Sequence, residues 1–222
     1  MSNDMIQLLV LAGIAVFLIL RLKNVLGTRD GFEKPPLPMP GQNETVNAAR
    51  RDFEVIEGGP DRDITDNVAE DSPAADALAR MKAIEPSFGV SDFLGGAKQA
   101  YEMILMAFEN GDLDEVVPFL SPDVYETFQE VIDLRKKEGL TVDANFVGVR
   151  ETSLVDAEFD DKTNLAELTL RFVGELTSVV RDEAGAIVDG NPNEVKRQKD
   201  IWTFERVMGA DNPNWQLVAT GE

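Results

Sequence analysis

The chemistry open to this chain is bounded first by what it lacks: its 222 residues include no histidine and no cysteine. Imidazole relays, thiolate nucleophiles and the usual nitrogen–sulfur zinc shells are excluded. Carboxylate, phenol, ammonium and guanidinium groups remain. No glycine-rich phosphate loop follows a strand pattern, and Gly95-Gly96 falls inside a helical one, where it permits close packing. The side chains that could build a site are therefore aromatic: Tyr101, Phe108, Phe128, Phe146, Phe172, Trp202 and Phe204. They have two readings. They fill a core, or helices laid on a curved sheet leave an apolar pocket among them that takes a lipid tail or peptide side chains. The residues for such a pocket are Tyr101, Phe108, Phe128, Phe172, Trp202 and Phe204, with Trp202 and Phe204 first for its wall. Metal and cofactor sites are not expected.

The elements that must position these residues are read from periodicity. Over 76–85, Leu78, Met81 and Ile84 share one face of a short helix that Pro86 stops. This amphipathic segment (76–87) has three available roles: packing on the following domain, touching a bilayer or binding a partner. Ser91 is placed to cap a helix whose stripe is Phe93, Ala97, Tyr101, Ile104 and Phe108, ended by Gly111. Asp112 caps the next short segment. Ser121-Pro122 opens a further helix with Val124, Phe128 and Val131 inward. After Gly139 the period becomes two. Strands are expected over 142–158, 165–180, 194–208 and 215–220, with turn residues between them. Helices followed by an antiparallel meander predict an α+β fold with helices across one face of a four-stranded sheet.

Ahead of this domain (88–222) lie two other segments. Residues 5–20 (MIQLLVLAGIAVFLIL) carry no charge, and Arg21, Lys23 and Arg29 follow. With flanks, the segment is long enough to cross a thin hydrocarbon core. A cleavable secretory signal would place basic residues before the run. Residues 1–26 are thus expected to form an uncleaved transmembrane anchor, with Met5, Leu8, Leu11, Phe17 and Leu20 in the bilayer. Arg21, Lys23 and Arg29 form a basic collar, which sets the N-terminus outside and the remainder in the cytoplasm or in the matrix of an organelle. Residues 27–75, rich in proline, glycine and acids, are expected to be a disordered acidic linker. Within it, RRDFEVI at 50–56 is an apolar-basic island, read as a sticky stretch of linker or a docking motif. The net charge is −20, and residues 88–222 hold 12 basic against 27 acidic side chains. Nucleic acid is excluded as the main partner, because phosphate backbones bind through lysine and arginine.

The sequence also resembles a known family. Phe93-Leu94-Gly95-Gly96-Ala97-Lys98, Ala100-Tyr101, Ala107-Phe108, Gly111-Asp112, Leu120-Ser121 and Val124-Tyr125 are similar to the C-terminal domain of the Tim forty-four family. So are Asp200-Ile201-Trp202-Thr203-Phe204-Glu205-Arg206 and Asn212-Pro213-Asn214-Trp215. The resemblance covers about residues 88–222. The layout of anchor, acidic linker and domain looks like the bacterial TimA-type adaptors of alphaproteobacteria. It implies a cone-like fold related to nuclear transport factor two and a scaffold at an inner membrane, linked in mitochondria to the protein-import channel and a seventy-kilodalton heat-shock chaperone. The implied location is the inner (plasma) membrane of an alphaproteobacterium-like cell. The implied partners are a membrane complex or chaperone, with a lipid or small ligand in the pocket as the alternative. Cone-shaped relatives of that fold include enzymes with a carboxylate in an apolar pocket. The corresponding residues would be Asp143, Glu175 or Asp200, yet the alternation gives no reason to bury any of them, and the expectation is a non-enzyme.

Overall fold

The computed structural model describes residues 59–221. The expected anchor, its collar and the linker up to residue 58 lie outside the described residues. Among those described, no helix is long and apolar enough to cross a membrane. The order is α1 (Arg62–Thr65), α2 (Pro73–Ile84), α3 (Val90–Asn110), a 3-10 turn (Val117–Phe119) and α4 (Pro122–Lys137). The strands β1 (Thr141–Asp160), β2 (Leu165–Arg181), β3 (Ile187–Gly190), β4 (Lys196–Val207) and β5 (Gln216–Gly221) follow. The α+β expectation holds, with helices packed on an antiparallel sheet.

The sheet runs β1-β2-β4-β5, with β3 also on β2. β3 pairs with Val179–Arg181 and β4 with Leu165–Leu176, so the two lie along the same edge of β2. Four strands were expected; the fifth arises because residues 191–195 leave the ladder. Pro192, with no N–H to donate, sits in that interruption. β1 is the other long strand. Its register on β2 slips at Val147, Arg150 and Val155, each an extra residue without a partner opposite. Such bulges bend a strand and raise its twist, which lets twenty residues curve round the helices.

Two expectations about the start of the ordered region need correction. Helix α2 begins at Pro73, not Asp76, because Ser72 Oγ accepts the Ala75 N–H at 3.1 Å with proline at the first position. Residues 60–75, assigned to the linker, are also ordered. Asp63 of α1 accepts the N–H groups of Val90 (2.7 Å) and Ser91 (2.8 Å), so it caps α3 from a distance. Ser91 does not cap that helix; its preceding residue is Gly89, with no side-chain cap. Lys82 Nζ lies 2.7 Å from both Asp61 and Asp63 and ties α2 into the same corner. Burial alone would raise the Asp63 carboxyl. The Lys82 ammonium, Ser91 and the two backbone donors outweigh it and hold the group well below the usual carboxylate range.

Of the three roles open to the amphipathic helix, packing is the one seen. Ala74, Ala75, Ala77, Leu78 and Met81 of α2 are buried in the same core as α3 and the sheet. Its C-terminus is clasped by Arg206, whose guanidinium meets Glu85 at 2.6 Å and lies over the Trp215 ring. Ser121 and Gly111 cap as expected, Gly111 with φ 70°, a left-handed conformation that favours glycine. On α4, Val124 and Ile132 are the buried residues, while Phe128 packs at the margin.

Candidate functional site

The six residues expected to line a pocket divide into two groups. Tyr101, Phe172, Trp202 and Phe204 are all at most 4 % exposed. Tyr101 stacks on Phe172 with centroids 4.5 Å apart and touches Trp202 at 4.7 Å. Trp202 meets Phe204 at 6.2 Å, and Phe93 closes on Phe204 edge-on at 6.1 Å. These rings occupy the concave side of the sheet themselves, in offset and edge contacts typical of a filled core. Phe108 and Phe128 form a separate, half-buried pair 4.7 Å apart between α3 and α4. Arg135 covers Phe108 at 4.4 Å and donates to its carbonyl at 3.3 Å. Beside it, burial pushes the Glu109 carboxyl up and pulls the Arg135 guanidinium down, while Arg135 and Lys196 counter the shift on Glu109.

Among the aromatic rings lies one buried acid. Asp200, 6 % exposed, accepts from the Tyr101 hydroxyl at 2.5 Å and from Gln198 Nε2 at 2.9 Å. Burial, then the hydrogen bond and charge of Asp200, push the Tyr101 phenol far above its ordinary value, so it stays a donor. Gly174 makes room for it: a Cβ there would stand 2.6 Å from the hydroxyl and 3.0 Å from the ring. The other two acids weighed as catalytic differ. Asp143 is exposed, and Glu175 pairs with Arg150 (3.0 Å) and Arg197 (3.2 Å). Sequence reasoning gave no ground for burying Asp200, although the signal was present. It shares the inward phase of Trp202 and Phe204 on β4.

A surface feature was not foreseen. The outer side of α3 and the turn after it bound a groove of about 570 Å³. Its lining includes Met103, Met106, Ala107 and Val116 together with Glu102, Asp112 and Glu115. Glu102, Met103 and Met106 sit opposite the buried stripe of Phe93, Ala97, Tyr101 and Ile104, so one helix serves core and surface at once. No lysine or arginine lines the groove. Among the described residues no group of three or more acids could hold a metal ion.

Comparison with known proteins finds relatives of this domain. The TIM44-1 subunit of the mitochondrial import inner membrane translocase of Arabidopsis thaliana is 20 % identical over 162 residues. That match covers 70 % of this chain and 34 % of the relative. The human TIM44 subunit is 23 % identical over 147 residues, 65 % of this chain and 32 % of the relative. The chain thus spans about a third of the length of these relatives. The intermembrane-space region of the chloroplast protein ARC6 overlays 59 % of this chain and 92 % of its own at a TM-score of 0.38 and 13 % identity, too loose a likeness to bear on function. The model of the family described as "Tim44-like domain" matches residues 74–222, beginning one residue into α2 rather than at Phe88. The chain belongs to the Tim44-like domain family.

Proposed function

We propose that this chain is a membrane-tethered adaptor of the bacterial TimA type. The apolar segment 5–20 holds a protein-binding domain at the cytoplasmic face of an inner membrane, in the service of protein translocation, folding or membrane-complex assembly. The single observation that carries the reading is the filled interior. Tyr101, Phe172, Trp202 and Phe204 occupy the space that a ligand-binding cone of the nuclear-transport-factor-two kind would leave open. Recognition then falls to the surface. The relatives, subunits of a mitochondrial inner-membrane import translocase, support the setting. The domain acts without catalysis: Asp200, its one buried acid among the described residues, is engaged by Tyr101 and Gln198. The partner in this setting is a chaperone or a membrane complex.

Deletion of residues 1–23 tests the tether. Membrane fractionation and in-cell cross-linking should find the truncated chain in the soluble fraction, without the membrane neighbours of the full chain. Unchanged membrane association after the deletion would remove the basis of the proposal. Native mass spectrometry reads the alternative, because a stoichiometric copurified lipid would show that the aromatic core opens.

A further inference from the structure

We propose that the groove along α3 is the docking site for a basic amphipathic helix presented by a protein partner. The inference rests on the adaptor reading and names the chemistry of what that adaptor holds. The accessible apolar strip is Met103, 37 % exposed, with half-buried Met106 and Ala107, underlain by the buried Val116 and bounded by Gln99 and Asn110 at the ends of the α3 lining. Methionine side chains are flexible and polarizable, and surfaces lined by them repack against differing partners. The rim carries Glu102, Asp112 and Glu115 with no cation among the lining residues. Apolar floor and single-sign rim complement a helix with leucine-like residues on one face and lysine or arginine beside them. The lining on α3 runs from Gln99 to Asn110, about 16 Å along the axis at 1.5 Å per residue, which matches three turns of a partner helix. The same acids repel an anionic bilayer, so the occupant is a protein segment and not the membrane surface. The groove opens away from the aromatic core, so filling it requires no rearrangement of Tyr101 or its neighbours.

The probe is a fluorescein-labelled leucine–lysine peptide of about eighteen residues, with leucines at i, i+3, i+4 and i+7. Its control is a scrambled peptide of identical composition. Binding to the full chain is read by fluorescence anisotropy. The patterned peptide should bind at least about ten-fold more tightly than the scrambled one, with affinity falling as salt screens the rim. Glu102→Lys and Glu115→Lys, both exposed, and Met106→Lys should each weaken it by about ten-fold or more. Asp189→Lys, the same change in net charge on exposed β3, should leave it unchanged. Equal binding of patterned and scrambled peptides, or equal loss in Asp189→Lys, would reduce the effect to bulk attraction and overturn the proposal. A self-associating chain that becomes monomeric in the Met106→Lys variant would assign the groove to a second copy instead. The adaptor reading fails separately. If groove variants keep every membrane cross-link of the parent chain, the groove assignment falls and the adaptor stands. If the parent chain has no membrane neighbour, the adaptor falls whatever the peptide does.

Discussion

Gly174→Ala probes the closest packing in the interior. The added Cβ would lie 2.6 Å from the Tyr101 hydroxyl oxygen, 3.0 Å from Cε1 and 3.2 Å from Cζ. The first distance is about 1 Å inside an optimal nonbonded contact. Tyr101 has little room to yield, because Phe172 stacks on one side, Trp202 leans on another, and Asp200 holds the hydroxyl. Overpacking of this kind destabilises by about 1–3 kcal/mol. Alanine recovers about 0.5–1 kcal/mol of backbone entropy relative to glycine in a strand, which leaves a net loss of up to about 2.5 kcal/mol. Tyr101→Phe removes the atom that clashes and also a charge-assisted hydrogen bond, a loss of about 1.5–3 kcal/mol. In the double variant the worst contact is gone, so its loss should fall short of the sum by about 1 kcal/mol. Urea unfolding followed by tryptophan fluorescence of all four proteins closes the cycle. Additivity within about 0.3–0.5 kcal/mol, or a Gly174→Ala protein more stable than its parent, would refute the argument.

Two further substitutions test the electrostatics. Asp63→Asn removes a carboxylate whose folded-state value is depressed, and such a group stabilises above the ordinary carboxylate value and loses that contribution as pH falls through the depressed one. The variant should therefore be less stable at neutral pH, by about 0.5–2 kcal/mol as for a lost helix cap, and its acid limb should be shallower in melts between neutral and strongly acidic pH. Glu167 behaves oppositely. It stands across from Glu158 on β1 and Glu205 on β4, and burial, then these two charges, push its carboxyl up. A raised acid is destabilising above its folded value and is relieved as pH falls. Glu167→Gln should stabilise at neutral pH by about 0.3–1 kcal/mol, reduced by solvent screening, with the gain vanishing in melts below the carboxylate range.

Most of the secondary structure, the helix ends at Ser121 and Gly111, and through the order of elements the fold class, were legible in the chain because they depend on neighbours close in sequence. The 3.6-residue stripe through Phe93, Ala97, Tyr101 and Ile104 and the alternation through Trp202 and Phe204 each name a face, whichever element later covers it. Ser121-Pro122 and Gly111 mark helix ends by local backbone chemistry. What only tertiary structure decided involved partners distant along the chain. Asp63 caps a helix that begins twenty-seven residues later, so a stretch of linker-like composition is part of the fold. Whether the aromatic residues enclose a pocket or fill it depends on how far the curved sheet closes on α3. That distance is set by Gly174 admitting Tyr101 and by Asp200 receiving its hydroxyl, and no periodicity encodes it. The groove on the outer side of α3 likewise exists because the turn after Gly111 folds back beside Met103 and Met106. A sequence can assign each residue to a face, but the separation between faces is a property of three-dimensional packing.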